Sequence, residues 1–187
     1  MSNIVKSIPK EERKMLRKAF WRSFTLYAAV SPAKQGASGF SYALMPFINK
    51  FYKNDEEGKK AALVRSMSYF NTTIPCSTFI MGIVASMEKK NSEQKDFDEN
   101  SINAVKSSLM GPLAGIGDSI FWGVLRVIAA GIAVNLGMNG NILAPVIFLL
   151  LFNIPSILIK YYGTFFGYKL GSEYIQKVYE SGLMGIL

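Results

Sequence analysis

The chain has 187 residues, half of them hydrophobic and only 18% charged, with mean hydropathy +0.21 and a formal net charge of +8. It has no histidine, which excludes a histidine base, a histidine metal ligand and a phosphohistidine relay within this chain. The single cysteine, Cys76, excludes an internal disulfide, and its Pro75-Cys76-Ser77-Thr78 context, without a neighbouring base, reads as a buried structural thiol.

Residues 1–9 are polar and end in Pro9. No secretory signal is expected, because no apolar core with a small-residue cleavage site follows the charged start. Residues 10–29 have a helical pattern. Met15, Ala19, Arg22 and Leu26 mark one stripe, and Leu16, Phe20, Phe24 and Tyr27 mark the next. Arg13, Lys14, Arg17 and Lys18 lie toward the polar side. A basic amphipathic helix carrying Phe, Trp and Leu suits a membrane interface. An ordinary surface helix on a soluble core has the same pattern. The apolar stretches downstream favour an anionic membrane over nucleic acid as the target of the basic patch. Residues 1–30 are therefore assigned to an interfacial helix and residues 31–187 to a membrane domain.

Residues 31–39, SPAKQGASG, break the helix. Residues 40–52 resume an apolar run containing Pro46, and 53–60 form a charged turn. Residues 60–69 read as helix, interrupted by Asn71-Thr72-Thr73-Ile74-Pro75. Residues 76–87 are apolar but too short to span a bilayer alone. Two readings stand: a buried core helix, or a broken, re-entrant helix of the kind transporters place around a binding site. Residues 88–100 are charged, of mixed sign, and read as solvated.

Residues 101–110 are amphipathic and run into residues 111–123, GPLAGIGDSIFWG. Gly111, Gly115, Gly117 and Gly123, with Pro112, predict a non-helical backbone turn packed close to a substrate or a moving neighbour. Neither phosphate-loop pattern fits: no Lys-Ser/Thr follows the glycines, and Ile120 stands where a dinucleotide fingerprint needs glycine. Asp118 has three available roles: capping the helix behind it, pairing with Arg126 two turns on, or touching a ligand. Asn71, Thr72 and Thr73 offer neutral donors and acceptors suited to sugar hydroxyls, or equally a helix cap.

Residues 119–136 form an apolar segment carrying one charge, Arg126, and residues 142–159 an uncharged one. The turn between them, GMNGN, has no Lys or Arg. The flanks carry Lys89, Lys90, Lys95, Lys106, Lys160, Lys169 and Lys177, so the turn is expected outside and both flanks in the cytoplasm. Tyr161, Tyr162, Phe165, Phe166 and Tyr168 sit where an aromatic belt is expected. Residues 182–187 resemble the start of another buried element. The expected fold is thus a mostly α-helical integral membrane protein with broken or re-entrant helices, a transmembrane hairpin and a basic amphipathic N-terminal helix. No paired carboxylates, metal cluster or nucleophile–base set emerges, so no enzyme activity, metal, cofactor or nucleic-acid partner is expected.

The stretch 111–123 resembles the signature of component IID of the mannose-type sugar phosphotransferase system. Residues 40–52 resemble that family's GF…P segment ending in Tyr, and Phe70-Asn71-Thr72 its FNT element. Residues 83–88 resemble the segment that closes on a glutamate, and 140–143, 150–153, Tyr162-Gly163 and Gly167-Tyr168 its later span. The resemblance implies a bacterial inner-membrane permease subunit that joins component IIC in a heteromeric complex of higher order, with a hexose or amino sugar between them. Components IIA and IIB would carry the phosphoryl group. The complex resembles an elevator-type transporter. The family's sugar contacts map to Asn71, Thr72, Thr73, Gly115, Gly117 and Asp118, held by a structural loop with Gly111, Pro112 and Ser119. Gly115→Leu is then expected to abolish transport and spare membrane insertion.

The sequence departs from the family at three places. Ala33 stands where a sugar-contacting glutamate is expected, and Thr73-Ile74 where His or Gln then Pro is common. The family also continues with further membrane segments. These departures leave an alternative, a non-transporting membrane partner of component IIC.

Overall fold

The computed structural model describes residues 2–94 and 96–180, with side chains described from 5 to 173 apart from Lys95. The segment 182–187 lies outside the described residues. The elements are α1 (Ser2–Ser7), α2 (Lys10–Arg22), a 3-10 turn (Ser23–Thr25), α3 (Ala37–Phe51), α4 (Glu56–Ser66), α5 (Ile74–Glu93), α6 (Asn100–Gly117), a π-helical segment (Asp118–Leu125), α7 (Arg126–Met138) and α8 (Ala144–Glu180).

One apolar core joins the N-terminal half of the sequence to α8. Leu16, Ala19 and Leu26 from the N-terminal region, Phe40, Leu44 and Phe47 from α3, Ile80, Met81 and Val84 from α5, and Phe165 from α8 pack in a single cluster. The helix expected over 10–29 ends at Arg22; of its predicted stripes Leu16, Ala19, Phe20 and Leu26 are buried, whereas Phe24 is exposed. Helix α5 runs through the charged residues 88–93 that read as solvated. Glu88 is buried there because a cation meets it: Arg65 Nη2 lies 2.9 Å and Nε 3.1 Å from its two oxygens. The Tyr52 hydroxyl donates to Glu88 Oε2 over 2.7 Å, Asn91 donates to Tyr52, and Arg65 also pairs with Glu99. This cluster ties α3, α4, α5 and the start of α6 together. Burial pulls the Arg65 guanidinium down, but the hydrogen bond and charge of Glu88 more than offset it, leaving it raised. Burial, then the Glu88 charge, pushes the Tyr52 hydroxyl up.

Helices α5 and α8 approach closely because small residues face each other. A Cβ on Gly167 would lie 2.1 Å from the Phe79 carbonyl oxygen, and one on Gly82 2.4 Å from that of Thr164. With Gly163 and Gly171, Gly167 forms a small-residue ladder at every fourth position, the spacing that lets membrane helices meet backbone to backbone.

The hairpin is present but longer than expected, and its first arm is a single helix. Asn100–Met138 runs 39 residues without interruption and Ala144–Glu173 a further 30, both apolar enough to cross a bilayer. Only 11% and 17% of their apolar windows are buried within the chain. Ile120, Val124, Val127, Ile128, Ile132 and Val134 stand exposed along the first arm. Such faces need lipid or another protein against them. The turn between the arms holds Gly140 at φ +73°, the left-handed backbone that closes it.

This overturns the non-helical turn predicted at 111–123, where Gly123 too lies in a helical segment. Gly111, Pro112, Gly115 and Gly117 all lie inside α6, and Asp118 and Ser119 open the π-helical segment. Glycine costs about 1 kcal/mol in a helix relative to alanine. In a hydrocarbon setting an opened backbone costs several kcal/mol per unpaired group, so intrahelical bonding wins. Asp118 consequently caps no helix start. A break is present but shifted from the expected 71–75: α4 ends at Ser66, before the expected Tyr69, and Ile74 and Pro75 open α5, where proline is tolerated in the first turn.

Lys106 closes that break from below. Its buried ammonium donates to the Ser66 and Ser68 carbonyl oxygens over 3.1 and 2.9 Å, and lies 4.4 Å from the Phe40 ring centre. The carbonyls that end α4 have no intrahelical partners, and Lys106 supplies one. Lys106→Met is expected to cost about 1–3 kcal/mol through those orphaned acceptors, read as a lower unfolding free energy in detergent. An unchanged value would show that the contact is idle.

Candidate functional site

Three segments meet where the break faces the middle of the long helix. Loop residues 31–36 pair with Phe70, through Gly36 N–H to the Phe70 carbonyl (2.9 Å) and Phe70 N–H to that of Lys34 (3.3 Å). Gln35, at φ +48°, takes the strained turn that permits this. Ala33 lies on this loop, two residues before the bridged Gln35.

The Tyr27 hydroxyl lies 2.9 Å from Asn71 Oδ1 and 3.0 Å from the Thr72 carbonyl oxygen, and accepts from Thr72 N–H over 3.3 Å. A phenol has one proton to give. One of its two acceptors is therefore always open to another donor. Burial holds the Tyr27 hydroxyl above its ordinary range, so it remains a donor at neutral pH.

The two threonines fasten the break to α6. Thr72 Oγ1 donates to the Met110 carbonyl over 3.2 Å. Thr73 Oγ1 lies 2.6 Å from Asp118 Oδ1 and 3.1 Å from the Ala114 carbonyl. Both threonines are buried, whereas Asn71 and Asp118 are exposed. Their close fit depends on Gly117, where a Cβ would lie 2.6 Å from Thr73 Cβ. The π-helical turn begins at Asp118, at this contact. Such bulges recur at functional sites in helices because they re-aim side chains.

Asn71, Thr72, Thr73, Gly117 and Asp118 are thus brought together. Gly111 and Gly115 face open space, where a Cβ would meet nothing beyond the neighbouring backbone of its own helix, and Pro112 is exposed beside Gly111. Ser119 donates back to the Gly115 carbonyl over 2.8 Å. Arg126 makes no ion pair with Asp118 among the described residues; its guanidinium lies 5.5 Å from the Trp122 ring centre. Tyr27 was missed in the sequence, where its place in the amphipathic stripe hid its polar tip. Its partner lies 44 positions away, beyond any local pattern.

A larger groove of about 640 Å³ lies behind the break, lined by Cys76, Phe79, Leu158, Ile159 and Tyr162 among others. Its lining is almost wholly apolar, which suits hydrocarbon and not a sugar. Burial, then the charge of Asp118, pushes the Cys76 thiol up, in keeping with a packing role.

Two apolar arms of spanning length, exposed along most of their surface and joined to a helical body with a polar break, define an integral membrane protein. The chain belongs to the mannose/fructose/sorbose family of phosphotransferase-system IID components, whose family model matches residues 10–187. It is 33% identical over 161 residues to the mannose-specific IID component of Escherichia coli K12, covering 86% of this chain and 57% of that protein. It is 34% identical to the fructose permease IID component of Bacillus subtilis, covering 89% and 62%, and 33% identical to the sorbose-specific IID component of Klebsiella pneumoniae, covering 90% and 66%. The chain thus spans between 57% and 66% of the length of these relatives. Among solved structures, a chain of the mannose transporter ManYZ in complex with microcin E492 superposes with a TM-score of 0.84 at 31% identity, over 90% of this chain and 61% of that one.

Proposed function

We propose that the chain is a sugar-permease subunit that forms a translocation unit with component IIC in the bacterial inner membrane, while components IIA and IIB carry the phosphoryl group. The sugar is a hexose or amino sugar. The hairpin turn faces outward and both flanks face the cytoplasm. Residues 1–30 lie at the interface and residues 31–187 form the permease body.

The observation that carries this reading is the hydrogen-bonded mouth from Tyr27 through Asn71, Thr72 and Thr73 to Asp118. It places exposed neutral and anionic acceptors beside the helix break. A sugar hydroxyl both donates and accepts. The exposed Asp118 oxygen and the Asn71 amide can take those roles. Thr72, Thr73 and Gly117 hold the pair in place, and Gly115 offers its bare backbone face to the sugar or to a partner chain.

The test is uptake in proteoliposomes containing the chain with its IIC, IIA and IIB partners and phosphoenolpyruvate. Asp118→Ala is expected to lower uptake about 10–100-fold, because charge-assisted hydrogen bonds contribute about 1.5–3 kcal/mol. Asp118→Asn, which keeps the acceptor facing Thr73, should retain more activity than Asp118→Ala. Equal, normal uptake by both variants would remove Asp118 from the sugar site.

A further inference from the structure

A second site lies on the other side of α2. Lys14, Lys18 and Arg22 from α2 and Pro46, Asn49 and Lys50 from α3 line a groove of about 400 Å³, together with Met15 and Glu11. The three α2 cations recur at every fourth position, one helical face about 12 Å long. Among the described residues no carboxylate pairs with Lys14, Lys18, Arg22 or Lys50. Four cations against the single carboxylate of Glu11 leave the groove net positive, so the cluster is suited to an anion.

Arg22 is aimed by the backbone itself. Proline in a helix removes the N–H that would bond to the carbonyl four residues earlier. For Pro46 that carbonyl belongs to Tyr42, and Arg22 Nη1 donates to it over 3.1 Å. The guanidinium also lies 4.5 Å from the Tyr42 ring centre. One donor is used, and the rest of the fork is free for a ligand.

The same end of α2 sits at the edge of the apolar region. Phe20 packs edge-on against Tyr161, 5.1 Å between ring centres, directly after the apolar stretch of α8. Trp21 and Phe24 stand 69% and 50% exposed next to Arg22. Exposed aromatic rings beside unpaired cations suit the headgroup level of a bilayer, and favour lipid over an acidic protein surface.

We propose that the α2–α3 groove binds the phosphate headgroup of an anionic phospholipid. Arg22 and Lys18 hold the phosphate, Lys14 and Lys50 add positive potential, and Trp21 and Phe24 lie along the first carbons of the acyl chains. This assignment goes beyond sugar translocation, and its test uses no sugar.

The full chain with Trp122→Phe leaves Trp21 as its only tryptophan. It is reconstituted in phosphatidylcholine vesicles in which about 20 mol% of the lipid is acyl-brominated phosphatidylglycerol or, in parallel, acyl-brominated phosphatidylcholine. Quenching of Trp21 by the brominated phosphatidylglycerol is expected to be at least about twofold stronger, and the excess should shrink with added salt. Combined Lys14→Gln, Lys18→Gln and Lys50→Gln should abolish the excess, and the three lysine-to-arginine changes should keep it. Combined Lys53→Gln, Lys59→Gln and Lys60→Gln removes the same charge elsewhere and should also keep it. Equal quenching by both lipids overturns the proposal, as does an excess that survives the groove variant. It is also overturned if the groove shows no lipid preference and its variant loses binding of a cytoplasmic protein component instead.

Discussion

Glu88→Ala is expected to destabilise the protein by about 3–5 kcal/mol, the cost of stranding a buried charge. The stranded group is the Arg65 guanidinium, 8% exposed, which would keep only Glu99, itself largely in solvent. Tyr52 would also lose its carboxylate acceptor and keep only the Glu88 backbone carbonyl, 3.3 Å away. Four elements meet at this carboxylate, so the loss should appear as a lower midpoint in detergent-denaturation curves. It should not appear as a change in sugar preference. Replacing the pair together, Arg65→Met with Glu88→Leu, should recover most of the lost stability, because removing both charges leaves no unpaired ion. A single variant as stable as the parent would mean that water reaches Arg65 and the pair is a surface contact.

Gly117→Val is expected to cut uptake about 100-fold while the protein still inserts into the membrane. A new Cβ would fall 2.6 Å from Thr73 Cβ and 2.7 Å from its hydroxyl oxygen. Thr73 is buried and bonded to α6, so it cannot turn aside without releasing Asp118. The break and the long helix must separate by a fraction of an ångström or more, and displacements of about 1 Å at a reacting or binding centre cost about that factor. The destabilisation is expected to be about 1–3 kcal/mol, typical of overpacking. Gly115→Ala provides the contrast, because its Cβ meets nothing beyond the neighbouring backbone of its own helix. Loss of uptake in Gly115→Ala would place a partner or substrate against that face. Normal uptake in Gly117→Val would show that the mouth is not where the sugar passes.

The hairpin was legible because hydrocarbon imposes a length and an absence of charge that composition alone displays. A break was legible at 71–75 because Pro75 and short polar side chains interrupt a helical pattern, but not that α4 stops at Ser66 or that Pro75 sits in the first turn of α5. Glycine and proline content predicts a turn at 111–123 because propensity takes no account of the surrounding solvent. In a bilayer the backbone has no water to bond to, and Gly111, Gly115 and Gly117 remain helical. The resemblance located residues 83–88 but not the role of Glu88, since its partner Arg65 lies 23 positions upstream. The same holds for Thr73 and Asp118, 45 positions apart. Periodicity reports which face is apolar and is silent on which polar groups meet across it. Pro46 and Arg22 make the point most sharply: the missing donor is written in the sequence, but the guanidinium that replaces it comes from another helix.

The most direct measurement is isothermal titration of hexoses and amino sugars into the purified complex of this chain with its IIC partner. Saturable binding of at least one sugar, weakened about 10-fold or more by Asp118→Ala, is the expected result. No saturable heat for any sugar in the panel, from a complex that is intact by size, would contradict a sugar-binding subunit and leave a non-transporting partner of component IIC.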